Sequence, residues 1–185
     1  MIIETIFSTL DSTGHANFAP MGISLDEDEI IVRPFRNTQT CRNLLDTGCG
    51  VANFTDDVLA FVQSALSDVD LPHVKAHSIA GVVLQDTCSW RELEIIAENG
   101  TLDRPEIRCR EMYRGWQRDF LGFCRARNAV IEATILATRI HLYTPHDVLI
   151  DLERYEQIIK KTGDEKERSA FQQVCDYIGK RMSDV

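Results

Sequence analysis

The sequence predicts an α+β fold, mainly a small β-barrel followed by a C-terminal helical segment. Three observations carry this. Seven short strand-like runs separated by turn clusters fill the first two-thirds of the 185 residues. Only two short helices interrupt them, so the pattern is a meander and not a βαβ alternation, which favours a barrel. From about Arg118 the apolar period becomes helical.

The strands come first. "IIETIFSTL" and "HANFAPMGIS" flank the turn cluster "DSTG" and form a hairpin. "EIIVRPF" is a third strand stopped at Pro34, and "GVANF" is short and almost wholly apolar. An acidic run, "LDEDE" at 25–29, has the composition of a solvated turn. Later "HSIAGVVLQD", "WRELEIIAE" and "PEIRCREMYRG" make a meander broken at "DTCS" and "NGTLDRP". In the last run Ile107, Cys109, Glu111 and Tyr113 share one face, against Arg108, Arg110, Met112 and Arg114, as in a sheet with one wet side.

The two early helices have their own signals. One spans about 39–47, with Asn37 and Thr38 as N-cap candidates and Gly48 past its end. The other opens at Thr55 in "FTDDVLAFVQSAL", with Asp56 and Asp57 where carboxylates suit the helix dipole. Beyond Arg118, Leu121, Cys124, Asn128, Ile131, Ile135, Thr138 and Leu142 recur at helical spacing. Thr144-Pro145 caps and opens the next helix, which closes at Gly163 after two lysines. Asp164 and Glu167 form a capping box, followed by a stripe of Phe171, Val174, Cys175 and Ile178. The expected division is therefore a barrel domain at 1–117 and a helical region at 118–185, packed on the barrel or on a second subunit.

Composition narrows the function. With 29 acidic against 20 basic residues the formal net charge is -9, which argues against a nucleic-acid partner. No run of about 18 apolar residues could span a bilayer, and the start "MIIETIFSTLDSTG" lacks a basic leader. Cys41, Cys49, Cys88, Cys109, Cys124 and Cys175 match no zinc spacing and are expected to be reduced thiols of a cytoplasmic protein.

One stretch gathers groups that hold anions. "RPFRNTQTCRNLL" places Arg33, Arg36, Asn37, Thr38, Thr40 and Arg42 where a strand runs into a helix. A helix N-terminus offers unpaired N–H groups and partial positive charge, and hydroxyls and a guanidinium beside it suit a phosphate monoester. A plain capped helix with solvent-facing arginines accounts for the same residues equally well. Two flanking stretches bear on the choice: "NFAPMGIS", where a strand glycine often marks a bulge or close approach of a ligand, and "VANFTDD", which brings Asn53 and Thr55 to a strand end beside a helix start; an ordinary strand end and an N-cap account for them as well. Elsewhere His73 and His77 lack a third ligand nearby, and His141, Asn128, Thr138, Glu132 and Arg139 have ordinary helix-surface or bundle roles open to them. Trp90, Tyr113 and Trp116 are core or interface aromatics, any one of which could stack on a ring.

Taken together, "NFAPMGI", "PFRNTQTCRNLLDTGCGVANFTDDVLAF", "RPEIRCREMYRG" and "FCRARNAVIEATILATRIHLY" resemble the FMN-binding split-barrel superfamily. More narrowly they resemble its uncharacterised branch, the domain-of-unknown-function family four-four-seven. The resemblance implies a homodimer of small barrels, each holding FMN. Carried over by position, Arg36, Asn37, Thr38 and Thr40 would hold the FMN phosphate. Ala19, Pro20, Met21 and Gly22 would lie against the isoalloxazine ring, and Asn53, Phe54 and Thr55 would touch the ring edge or ribityl chain. The function implied is an FMN-dependent oxidoreductase of unknown substrate. The alternatives are a non-catalytic protein binding FMN or another phosphorylated small ligand, and a dimeric scaffold with an empty pocket.

Overall fold

Alternating apolar residues in the first strands give a sheet with an inward row and an outward row, and the computed structural model shows how it closes. The structure describes residues 1–26 and 29–183; the acidic turn expected at 25–29 therefore lies partly outside the described residues, at Glu27 and Asp28. The chain divides into two compact units, Met1–Thr55 with Asp68–Phe120, and Asp56–Ser67 with Leu121–Val185.

The first unit is a closed antiparallel barrel. Its strands are β1 (Ile2–Leu10), β2 (Ala16–Leu25), β3 (Ile30–Val32), β4 (Cys49–Phe54), β7 (Ser89–Gly100) and β8 (Pro105–Trp116), in the order β1-β2-β3-β8-β7-β4. Phe7, Ile23, Val32, Leu93, Ile107 and Cys109 fill it, together with Leu44 from α1 (Gln39–Thr47). Gly50 lets that filling close: a Cβ there would lie 2.5 Å from the Phe7 ring. The run "HSIAGVVLQD" does not join the barrel as expected. Only Val82–Leu84 is strand (β6), and it pairs with β5 (His73–Lys75) in a separate hairpin.

Outward polar side chains hold that hairpin on the barrel wall. Ser8 Oγ donates to the Val82 carbonyl at 2.6 Å, and Leu84 N–H donates to Asn53 Oδ1 at 3.0 Å. Glu92 Oε1 accepts from His77 N–H at 2.7 Å, and Glu92 Oε2 from Ser78 N–H at 2.6 Å.

A bulge on β8 changes the expected face pattern. Glu92 pairs with Tyr113 but Leu93 pairs with Glu111, so Met112 is an extra residue. Ile107, Cys109 and Glu111 stay on the inward side with Leu93. Tyr113 crosses to the outer side, where its ring stacks on His77 at 4.4 Å. A simple period of two cannot anticipate that crossing.

The second unit is helical: α2 (Val58–Leu66), α3 (Arg125–Thr138), α4 (Pro145–Thr162) and α5 (Glu165–Ser183), with a short 3-10 turn at Ile140–Leu142. Thus α2, expected with the barrel, belongs here, where Val58 and Val62 join the α3 and α5 core. Its N-cap is Asp57, not Thr55: Asp57 Oδ1 accepts from the N–H groups of Leu59 and Ala60. α3 starts at Arg125 instead of 118 and buries Ala126, Ala129, Val130, Ala133, Thr134, Leu136 and Ala137. The expected stripe lies off that face, with Leu121, Asn128, Thr138 and Leu142 exposed. Small alanines let neighbouring helices approach closely, so the buried face is not the one bearing the largest apolar side chains.

Candidate functional site

The site builds from the N-terminus of α1. Thr38 is its N-cap: its hydroxyl accepts from Cys41 N–H at 3.2 Å and donates to the Phe35 carbonyl at 2.7 Å. Gly48 closes the other end with φ 73 and an N–H to the Leu44 carbonyl. The first-turn N–H groups of Gln39 and Thr40 have no partner within the helix, as at any helix start.

The three arginines of this stretch are tethered. Arg33 pairs with Glu106 at 2.8 Å and donates to Ser24 Oγ. Arg36 pairs with Glu98, and its Nε donates to the Leu102 carbonyl. Arg42 reaches back to the Asn37 carbonyl and to Gln39 Oε1. Guanidinium groups therefore frame the helix start while bound to protein acceptors. Among the described residues Arg36 Nη1 makes no hydrogen bond to protein. Asn37 is exposed and Thr40 is buried.

β2 brings the second segment alongside. β1 pairs with it from Ala16 to Ser24, but β3 reaches only Ile23–Leu25. Among the described residues, 16–22 therefore has no strand along its second edge, and Ala19, Pro20, Met21 and Gly22 all lie there. Pro20 is tolerated because an edge strand can spare a backbone donor. Asn17 ties this edge to the helix, its amide lying 3.1 Å from Thr40 Oγ and 3.3 Å from Thr9 Oγ. Asn43 from α1 donates to the same Thr9 at 3.0 Å, and Gln39 donates to Asn43. The sequence reading missed Asn17; its place in the same "NFAPMG" run was the available signal.

The third segment divides. Ile6 faces Pro20 across one edge of β1 and Asn53 across the other, so the β2 and β4 segments are two strand spacings, about 10 Å, apart. Met21, Thr5 and Phe54 form one inward row across β2, β1 and β4, at the barrel mouth. Asn53 does not join them. It is 0 % exposed, donates to the Ile6 carbonyl and Ser8 Oγ, and accepts from Leu84, so its amide clamps the outer hairpin. Thr55 ends the strand with its hydroxyl donating to the Asp86 carbonyl at 3.2 Å.

Other expected candidates lie apart. His73 is beside Asp70 and the Leu71 carbonyl, and His77 is stacked on Tyr113. Among the described residues no group of three or more His, Cys, Asp or Glu side chains comes together as a metal site. His141, Glu132 and Arg139 are exposed on the helical unit. None of the six cysteines forms a disulfide; burial raises Cys41, Cys49 and Cys175, and pushes Cys109 up to about 12, which disfavours the nucleophilic thiolate. No described helix is long and apolar enough to cross a membrane.

A six-stranded closed barrel with one strand edge left open beside a helix N-terminus defines the split-barrel class. Residues 3–118 match the family model described as "Protein of unknown function (DUF447) N-terminal domain", and residues 124–176 match "Protein of unknown function (DUF447)". The chain belongs to that family. Among solved structures it is similar to the FMN-bound protein MM1853 from Methanosarcina mazei, with 28% identity, TM-score 0.82, and 95% of this chain and 94% of that one covered. An FMN-binding protein from Thermus thermophilus with bound p-hydroxybenzaldehyde shares the fold at 16% identity and TM-score 0.55, over 62% of this chain and 71% of that one. Flavoredoxin of Desulfovibrio vulgaris (Miyazaki F) does so at 13% identity and TM-score 0.53, over 63% and 70%.

Proposed function

We propose that this chain is an FMN-binding flavoprotein acting as an oxidoreductase. The observation that carries the reading is the junction of the open β2 edge with the α1 N-terminus, tied through Asn17 and Thr40, in a chain 28% identical to an FMN-bound protein over 95% of its length. The donor set fits a phosphate monoester attached to a flat ring. First-turn N–H groups, the Thr40 hydroxyl, Asn37 and the Arg36 guanidinium would hold the phosphate, with the Thr38 hydroxyl joining them once it turns from the Phe35 carbonyl. The backbone of Ala19, Pro20, Met21 and Gly22 would lie along the ring, with Phe54 and Thr55 at its far side.

Bound FMN would supply the hydride or electron chemistry. The protein's part is orientation and exclusion of water. Tethering Arg36 to Glu98 fixes a cation at the helix start before any ligand arrives, which lowers the ordering cost of binding. The unpaired edge of β2 presents fixed N–H and C=O groups to a planar partner. The alternative, a non-catalytic FMN-binding protein, uses the same residues and is distinguished by whether bound flavin exchanges electrons with a reductant.

The reading extends to a homodimer in the cytoplasm. Six cysteines without a disulfide suit a reducing compartment, and exposed Leu142, Tyr143, Leu149 and Ile150 suit a subunit contact. Light scattering should give twice the 21.0 kDa chain mass, and a monomer at micromolar concentration removes the dimer. The deciding experiment for the cofactor is the visible spectrum of purified protein with mass analysis of what denaturation releases. Released FMN, weakened by Arg36→Ala with Thr38→Ala, supports the site. Colourless protein that takes up no added FMN sinks it.

A further inference from the structure

We propose that Arg91 is the docking point for a carboxylate group of a small molecule entering the barrel mouth. Arg91 lies on β7 opposite Ala52 of β4 and Arg114 of β8, on the same inward side as Leu93. Its side chain is only 18% exposed, so the stem is covered while the Nη atoms keep contact with solvent. Its guanidinium carbon sits 5.5 Å from the centre of the Phe54 ring, placing it beside the Met21–Thr5–Phe54 row.

Arg91 is incompletely satisfied. Its Nε is 3.0 Å from Glu111 Oε2. Among the described residues, its two Nη nitrogens donate no hydrogen bond to protein, leaving four of the five guanidinium donors uncommitted. A merely structural arginine in this place would fork onto Glu111 with Nε and Nη together. Arg114 holds that seat instead, its Nε 2.9 Å from Glu111 Oε1 and its Nη2 3.2 Å from Oε2. Arg114 is 65% exposed, so the more buried cation keeps the freer donors.

Charge and shape narrow the ligand. Two guanidinium groups share one carboxylate, leaving local positive charge in a chain of net charge -9. Such a focus favours a single small anion over a polyanion. The free Nη pair matches the fork of a carboxylate, and the Phe54 ring offers an apolar wall beside it. Burial pulls the Arg91 pKa down, as desolvation of an incompletely paired cation must, with Glu111 opposing that pull. The site depends on the flavin reading only for what the carboxylate's carrier would meet; the anion contact itself does not.

The test is calorimetric titration of the protein as purified with benzoate and with its neutral isostere benzamide. Benzoate should bind at least about tenfold more tightly, and Arg91→Gln should abolish the difference. Arg91→Lys keeps charge and stem without the fork, and should retain a reduced preference, which guards against misreading a folding defect. Equal binding of the two probes by the unmutated protein overturns the proposal, as does an undiminished preference in Arg91→Gln. FMN content is measured on the same samples. Arg91-dependent benzoate binding by a flavin-free protein upholds this site while the flavin reading fails; flavin-loaded protein indifferent to charge does the reverse.

Discussion

Glu92 is 0 % exposed, and three N–H groups meet its carboxylate: those of His77 and Ser78 and the Trp90 indole at 3.1 Å. Its job is to pin the segment before β6 to the barrel wall. Glu92→Gln replaces one acceptor oxygen with an amide that faces donors. It should cost about 2–3 kcal/mol, read as a lowered midpoint in urea, with faster amide exchange at His77 and Ser78. An unchanged midpoint would mean that water replaces the carboxylate without loss. Thr38 allows a sharper separation of roles, because an N-cap and a phosphate contact tolerate different substitutions. Thr38→Asp preserves a good cap, so stability should stay within about 0.5 kcal/mol. The added negative charge repels a phosphate, so FMN affinity should fall at least about tenfold. Equal losses in both would leave Thr38 a cap and nothing more.

At the level of elements, helices with chemical punctuation were legible and those without were not. Thr38 and Gly48 bracket α1, Thr144-Pro145 opens α4, and Glu167 returns the Asp164–Glu167 capping box by accepting from Asp164 N–H at 3.1 Å. α3 lacks a side-chain cap, so its start drifted to Arg118 and its alanine-rich buried face was passed over for larger residues. The strands of the candidate site were legible in "NFAPMG" and "VANF". What Asn53 does was not, because a buried amide clamped to a neighbouring hairpin has the same sequence as a ligand-facing one.

What locks the helices is an ion triad equally invisible in one dimension. Arg127 bonds Asp56 at 2.9 Å and Glu167 at 3.0 Å, and both acids are nearly buried. Burial raises the Glu167 pKa, but the Arg127 guanidinium and the Asp164 N–H outweigh it and hold the group below its usual 4.5. A depressed folded pKa gives stability that is present above the unfolded value and lost as pH falls through the folded one. Arg127→Met should therefore cost about 3–5 kcal/mol at pH 7, and progressively less below about pH 4 as the Glu167 carboxylate protonates. Urea melts at both pH values check this; a loss independent of pH would assign the effect to packing of the arginine stem.

At the scale of the molecule, connectivity and compactness disagree. The two family models meet between residues 118 and 124, and a cut there looks like a clean domain boundary. Yet α2 is inserted between β4 and β5 in the chain and sends Val58 and Val62 into the core of the helical unit. A fragment ending at Phe120 would keep all eight strands and leave that apolar face of α2 without its partners on α3 and α5. It should bind a hydrophobic dye strongly and self-associate, whereas the full chain should not. Val58→Ser with Val62→Ser in the fragment should reduce both effects, since it removes the orphaned face without touching a strand. Should the fragment prove monomeric and dye-silent without those changes, the apolar face of α2 needs no partner from α3 or α5.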